Sequence, residues 1–273
     1  MELSVTSWSF PQLTLDEVAG LARVLGFPAI DLGYFYRSAL DKARLLREPE
    51  AYGSELRERL PVGVANLYHL FGNDTVERNL ASSEHRAENT ADFGQALKFC
   101  AAVGAPTIFI LPGVLNRGQS RHQALEATIE SVKPMVEAAT RAGVTPCIEA
   151  HIHSYLETPS LAAELCERSG ARLALDYAHF AVAGYRQEEI DPLARFAGHV
   201  HLRQARPGAL QTKLEEGTLN FPAMFATLHD AGFTGHLACE YVHQGYFDTL
   251  HDDVLTETVK MRDLFRAWRG SAR

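Results

Sequence analysis

The chain has 273 residues, 46% hydrophobic and 22% charged, with 26 basic side chains against 34 acidic ones and a net charge of −8. That length suits one barrel-sized unit able to bury its core without staples, and the acidic balance speaks against a surface built to grip nucleic acid. No apolar run reaches the roughly 18 residues of a membrane helix, and the opening MELSVTSWSF has neither the basic segment nor the apolar stretch of an export signal. Cys100, Cys147, Cys166 and Cys239 are dispersed, with no C-x-x-C pair, and read as reduced thiols of a cytoplasmic protein.

In chain order, a strand over 3–10 leads to a helix over 15–25, opened by the capping-box pair Thr14 and Glu17 and stopped at Gly26. Strands over 29–35 and 62–70 precede a helix over 84–103 that stops at Gly104. The strand over 107–112 and the helix over 123–142, stopped at Gly143, repeat the pattern. So do the strand over 145–151 and the helix over 160–169, with Thr158 as N-cap, Pro159 at the first position and Gly170 at the end. A strand over 172–177 follows, and Gly198 is read as the next helix stop, just before a strand over 199–203. A helix over 222–231 with Gly232 behind it, a strand over 236–241 and a helix over 254–268 complete the chain. Eight strands in strict alternation with helices predict an α/β fold, a single (β/α)₈ TIM barrel spanning 1–273 with no internal boundary.

Four strand ends carry the chemistry. Pro146-Cys147-Ile148 runs into Glu149, Leu173-Ala174-Leu175 into Asp176, His199-Val200 into His201, and Leu237-Ala238-Cys239 into Glu240. In a parallel barrel such ends gather on one face, so three carboxylates and an imidazole are expected to crowd together. Packed carboxylates repel one another and are costly to desolvate, and a divalent cation removes that cost. Three oxygen donors and one nitrogen suit Mn²⁺ first, with Mg²⁺ or Co²⁺ as alternatives, whereas a structural zinc site more often recruits sulfur. Trp8 is read as an apolar wall for a sugar face or a cap on the core, and His151 as a substrate contact or a support of the site. His199, on the same side of its strand as His201, is expected to be a hydrogen-bonded interior histidine. His69 is read as an exposed loop residue, and Cys147 and Cys239 as small buried packing groups.

Asp176-Tyr177-Ala178-His179, His199-Val200-His201, the closing Glu240 and the Gly217-Thr218-Leu219-Asn220-Phe221 turn together resemble the xylose-isomerase-like sugar isomerase/epimerase superfamily, over essentially the whole chain. The resemblance implies that Glu149, Asp176, His201 and Glu240 ligate one divalent ion and that His179 binds substrate beside it, with Arg203 close by. It also implies that Glu149 and Glu240 move a proton by way of a cis-enediolate. Two positions depart from the ketose 3-epimerases of that superfamily. Pro207 stands where they carry an arginine, and Tyr155 stands where they carry a second glutamate beyond the strand-five ligand.

The expected activity is therefore metal-dependent isomerisation or epimerisation of a small carbohydrate or keto acid. The alternative is a lyase that eliminates a β-hydroxyl or glycosidic oxygen on the same site. Abasic-site DNA cleavage would need further metal-binding histidines, and Glu215-Glu216-Gly217 stands where one such pair would fall. The expected partner is the small-molecule substrate, with no nucleic acid and no membrane. Residues 241–247 (YVHQGYF) are expected either to close the pocket or to meet a neighbouring copy in a homo-oligomer.

Overall fold

In the computed structural model, which describes residues 1–243 and 253–271, the strands β1 (Glu2–Thr6), β2 (Ala29–Leu32), β3 (Gly63–Tyr68), β4 (Thr107–Ile110), β5 (Thr145–Ile148), β6 (Arg172–Asp176), β7 (Ala197–Leu202) and β10 (His236–Cys239) form one closed parallel barrel. β10 seals it by pairing with both β7 and β1. The helices α1 (Leu15–Leu25), α4 (Arg86–Val103), α5 (Arg121–Ala142), α6 (Pro159–Ser169), α9 (Phe221–Asp230) and α10 (Val254–Ser271) follow the sequence reading to within a few residues. Not foreseen were α2 (Lys42–Arg47), α3 (Pro49–Arg59), α7 (Tyr177–Ala181), α8 (Gln187–Ile190) and a hairpin of β8 (Gln204–Arg206) with β9 (Ala209–Thr212). Among the described residues no helix is long and apolar enough to cross a membrane.

Local chemistry accounts for most of the boundaries. The Thr14 hydroxyl accepts from the Glu17 amide while the Glu17 carboxylate accepts from that of Thr14, closing the box at the start of α1. Gly26, Gly104, Gly143 and Gly170 take left-handed conformations at four helix ends, where a side chain would be strained. Gly198 corrects the expectation that it ends a helix. It lies inside β7 as the extra residue of a bulge, between Ala197, paired with Leu173, and His199, paired with Ala174. A Cβ there would stand 2.7 Å from both the Arg172 Cβ and the Cys147 Sγ, so only glycine allows so close an approach.

The first strand stops at Thr6 instead of running to residue 10. The Thr6 and Ser9 hydroxyls bond each other at 2.7 Å and the Ser7 carbonyl accepts from Ser38, so polar groups after Thr6 are satisfied locally and the chain turns. Tyr177, expected to end a strand, instead begins α7, because the Asp176 carboxylate accepts from the Ala178 amide and caps that helix. The same acid thus ends a strand, starts a helix and faces the barrel mouth.

Candidate metal centre

Register brings the four strand-end residues together. Asp176 pairs with His201 across β6 and β7, Ala238 pairs with His201 across β7 and β10, and Glu240 follows two residues later with its amide on the Leu202 carbonyl. Glu149 stands one residue beyond β5 and donates its amide to the Ile110 carbonyl. One donor atom from each of Glu149, Asp176, His201 and Glu240 lies within 4.8 Å of all the others, and all four residues are buried.

The ionisable groups settle one another unevenly. His201 Nδ1 donates to Glu149 Oε1 at 2.7 Å and stands 3.2 Å from Glu240 Oε2. Burial opposes charging this imidazole, but the Glu240 and Glu149 carboxylates prevail and hold it well above the usual histidine range. Burial likewise works against an ionised Glu240, yet His201 and Arg203 hold it below the usual carboxylate range. Asp176 moves the other way, pushed up by burial and by the neighbouring Glu240 and Glu149 charges against the pull of Arg203. Arg203, itself buried, sets Nη2 2.5 Å from Asp176 Oδ2, 3.5 Å from Glu240 Oε2 and 2.9 Å from His179 Nε2. Burial first, and the Arg203 guanidinium beside it, hold His179 well below the usual histidine range.

These residues suit a divalent ion. Metal–oxygen and metal–nitrogen bonds of about 2.0–2.3 Å put opposite ligands about 4.0–4.6 Å apart, and the four donor atoms, all within 4.8 Å of one another, are close enough to share one ion. Glu240 Oε2 has no hydrogen-bond partner among the described residues although it is buried between two cationic side chains. Buried carboxylates with an unfilled acceptor are what a cation would compensate.

Above this floor opens a cleft of about 400 Å³. Glu149, Glu240, His151 and Arg203 line its base, and Trp8, Phe35, Tyr68 and Phe109 form an aromatic wall. Phe35 stacks on Tyr68 at 5.3 Å, and Tyr68 on Phe109 at 4.6 Å. Asn73, Asp74 and Thr75, on the loop between β3 and α4, make the outer rim.

Trp8 does more than either of its expected roles, since its indole Nε1 donates to Glu240 Oε1 at 2.9 Å. His151 is half-buried, with Nδ1 2.6 Å from the Ile152 carbonyl and its ring 4.3 Å from that of His179. His199 is an interior histidine bonded to Asp31 Oδ2 at 2.6 Å. His69 corrects the sequence reading, being 1% exposed rather than a solvent-facing loop residue. Its Nδ1 lies 2.9 Å from the Tyr34 hydroxyl. Cys147 and Cys239 are buried and unpaired. In the 241–247 stretch, Tyr241 is buried and its hydroxyl accepts from the Gln204 amide, whereas residues 244–247 lie outside the described residues. Asp31, Phe35, Tyr68 and Phe109 were missed from sequence.

A human protein named as a hydroxypyruvate isomerase is 27% identical over 262 residues, covering 88% of each chain. Among solved structures, D-psicose 3-epimerase from Clostridium cellulolyticum H10, determined with D-tagatose, superposes with a TM-score of 0.75 over 98% of this chain and 99% of its own, at 17% identity. The IOLI protein, whose structure holds a zinc atom, superposes with a TM-score of 0.73 over 97% of both chains, at 16% identity. At such identities the structural likeness speaks for the fold. The description of the xylose isomerase-like TIM barrel family matches residues 19–266, most of the sequence, and the chain belongs to that family.

Proposed function

We propose that the protein is a divalent-metal-dependent isomerase or epimerase of a small sugar or hydroxy-keto acid. The observation that carries this reading is the convergence of three buried carboxylates and one imidazole at the floor of a small-molecule cleft. Glu149, Asp176, His201 and Glu240 would hold the ion, with Mn²⁺ favoured by the oxygen-rich donor set and the zinc of a structural neighbour as its competitor. When bound, the ion would polarise the substrate carbonyl and the hydroxyl beside it.

The chain's own residues do the rest. Glu149 and Glu240 both line the cleft and are the groups placed to take a proton from the carbon next to the carbonyl and return it. Arg203 and neutral His179 orient substrate oxygens from the Asp176 side. Arg203 offsets one of the three carboxylate charges, and a bound divalent ion would offset the other two, so the negative charge that develops as the proton leaves would not meet a net negative centre. The human relative's name and that of the psicose epimerase bracket the substrate between a three-carbon keto acid and a ketohexose.

One observation favours the lyase alternative. Trp8 holds Glu240 Oε1, which leaves the two glutamates unequal, and elimination needs only one base. Both readings are tested by incubating metal-loaded protein in D₂O with hydroxypyruvate and with a ketohexose panel, following carbon-bound protons by NMR. Metal-dependent exchange that chelation abolishes is expected. Elimination products without exchange would select the lyase, and loaded protein exchanging no proton in any substrate would sink the isomerase reading.

A further inference from the structure

The cleft changes character from base to rim. Ionisable groups lie at its base, the aromatic wall rises beside them, and Asn73, Asp74 and Thr75 close the outer edge. Among the described residues that line it, Arg203 is the one lysine or arginine, and its guanidinium is engaged by Asp176 and Glu240. Two cations near the rim loop lie outside the lining. Lys42 Nζ donates to the Gly72 carbonyl, and Arg78 pairs with Glu88 at 3.0 Å and with Asp92 at 2.8 Å. The sequence from 244 to 252 (QGYFDTLHD) holds two aspartates and neither lysine nor arginine.

The rim itself carries a fixed negative charge. Asp74 Oδ1 accepts from the Val76 amide at 2.8 Å and from the Glu77 amide at 2.7 Å. Those two donors, Glu77 first, hold this exposed carboxyl below its usual range. The turn they close sets where the carboxylate stands, and Oδ2 makes no hydrogen bond among the described residues. A hydroxyl brought there would donate to an ionised acceptor, the stronger class of hydrogen bond. A phosphate or carboxylate would shed water with no cation in the lining to receive it, and would meet a like charge.

Volume and the wall agree with this. At roughly 30 Å³ per water, the cleft of about 400 Å³ takes about a dozen waters, and a hexose has about as many non-hydrogen atoms. A three-carbon keto acid would leave about half of that space to water. Phe35 and Tyr68 lie 10° from parallel and Tyr68 and Phe109 26°, which makes a continuous apolar surface for the C–H face of a sugar.

We propose that the substrate is an uncharged ketose of hexose size whose tail runs along the aromatic wall to the rim, where Asp74 is a specificity-determining residue that accepts a tail hydroxyl and turns away a tail phosphate or carboxylate. The inference rests on the isomerase or epimerase reading and narrows it, separating this chain from a hydroxypyruvate isomerase.

The test reads binding and turnover separately. Saturation-transfer NMR on Zn²⁺-loaded protein measures the affinity of D-fructose, D-tagatose and D-psicose, each beside its 6-phosphate, and of hydroxypyruvate. Proton exchange in D₂O gives kcat/KM for the same compounds. The best-bound ketose is expected to exceed its 6-phosphate by about tenfold or more, and to exceed hydroxypyruvate in kcat/KM. Asp74→Asn keeps Oδ1 for the Val76 and Glu77 amides, and with it the turn, but removes the charge. It should bind the ketose about tenfold more weakly, the loss of one hydrogen bond to a charged group, without weakening the phosphate. Asp74→Lys should reverse the preference. A phosphate bound as tightly as its parent sugar, no ketose binding, or hydroxypyruvate as the best substrate overturns the inference. So does an Asp74→Asn variant that weakens sugar and phosphate alike, as a merely misshapen loop would, or neither. Metal-dependent exchange in any of these cases leaves the isomerase reading intact. Ketose binding that depends on Asp74 without exchange of any proton upholds the specificity of the cleft and removes the isomerase reading instead.

Discussion

Two layers of buried polar side chains lie one above the other in this barrel, and they differ in how their charges are settled. Below, the single carboxylate of Asp31 receives hydrogen bonds from Ser4, Asn66 and His199. Above, the carboxylates of Glu149, Asp176 and Glu240 share two cationic side chains, His201 and Arg203, and one oxygen of Glu240 has no hydrogen bond among the described residues. The upper layer also opens onto a cleft, and its acids are driven apart, Asp176 upward and Glu240 downward. A carboxylate that serves only to fill and align can be satisfied by its neighbours, as Asp31 is. A layer that must receive a ligand cannot, because the ligand supplies the missing partner.

The largest expected effect falls on the upper layer. Glu149→Gln and Glu240→Gln should each cut proton exchange by about 10²–10⁴-fold, since Gln keeps the volume and one oxygen but cannot take a proton. Thermal melts should stay close to wild type. If the glutamates serve opposite faces of one carbon, each variant should fail in one direction of exchange only. If a single base suffices, one variant should be far worse than the other. Equal activity in both variants and wild type, with metal still bound, would move proton transfer to another group, His179 first.

Next in size is the loss of the neutral donor. His201→Ala leaves three carboxylates with no nitrogen to complete the shell, and metal affinity should fall by about 10²-fold or more. Equilibrium dialysis against Mn²⁺ and Zn²⁺ measures this directly. Unchanged metal content would remove His201 from the ligand set and erase the distinction between the two layers.

The upper layer was legible in the sequence and the lower one was not, for a physical reason. Glu149, Asp176 and Glu240 each break an apolar strand at its carboxyl end, where a charge has no structural purpose, so each stands out alone. Asp31 breaks an apolar strand too, within Ala29–Leu32, but its meaning depends on a histidine 168 positions away and on two bulges. The barrel and its main helices were readable because caps and glycine stops are local. The hairpin of β8 and β9 was missed although Pro207-Gly208 is a turn signal, because strands of 3 and 4 residues are too short to show an alternating pattern. Helices α2 and α3 were missed because α2 is short and nearly half of the residues in the two are charged, which leaves a weak amphipathic period.

His69 offers a smaller effect outside both layers. Burial holds this imidazole at about 3, below its unfolded value of 6.5. The unfolded chain therefore takes up the proton first, and the stability contributed by the neutral ring, complete above pH 6.5, is lost as pH falls from there toward 3. At pH 5 the loss should be about 2 kcal/mol. His69→Asn, which keeps an acceptor for the Tyr34 hydroxyl, should flatten this part of the pH dependence in urea unfolding. An unchanged slope would mean that other groups carry the acid sensitivity.

The smallest effect sharpens the comparison most, because it asks whether the upper layer has a positioning contact of its own. The Trp8 indole donates to Glu240 Oε1 and also stands in the aromatic wall of the cleft. Trp8→Phe removes the N–H and keeps most of the apolar surface. A hydrogen bond to an ionised carboxylate is worth about 1.5 kcal/mol net at the low end, so turnover should fall about tenfold. If Trp8 aligns Glu240, the loss should appear in kcat, with KM and the packing of Phe35 and Tyr68 little changed. If Trp8 only lends its face to the substrate, KM should rise and kcat hold, and Trp8→Leu should then be worse than Trp8→Phe in KM alone. The first outcome would give both layers the same design, an acid held from behind by a nitrogen donor. The second would confine that design to the pair formed by Asp31 and His199.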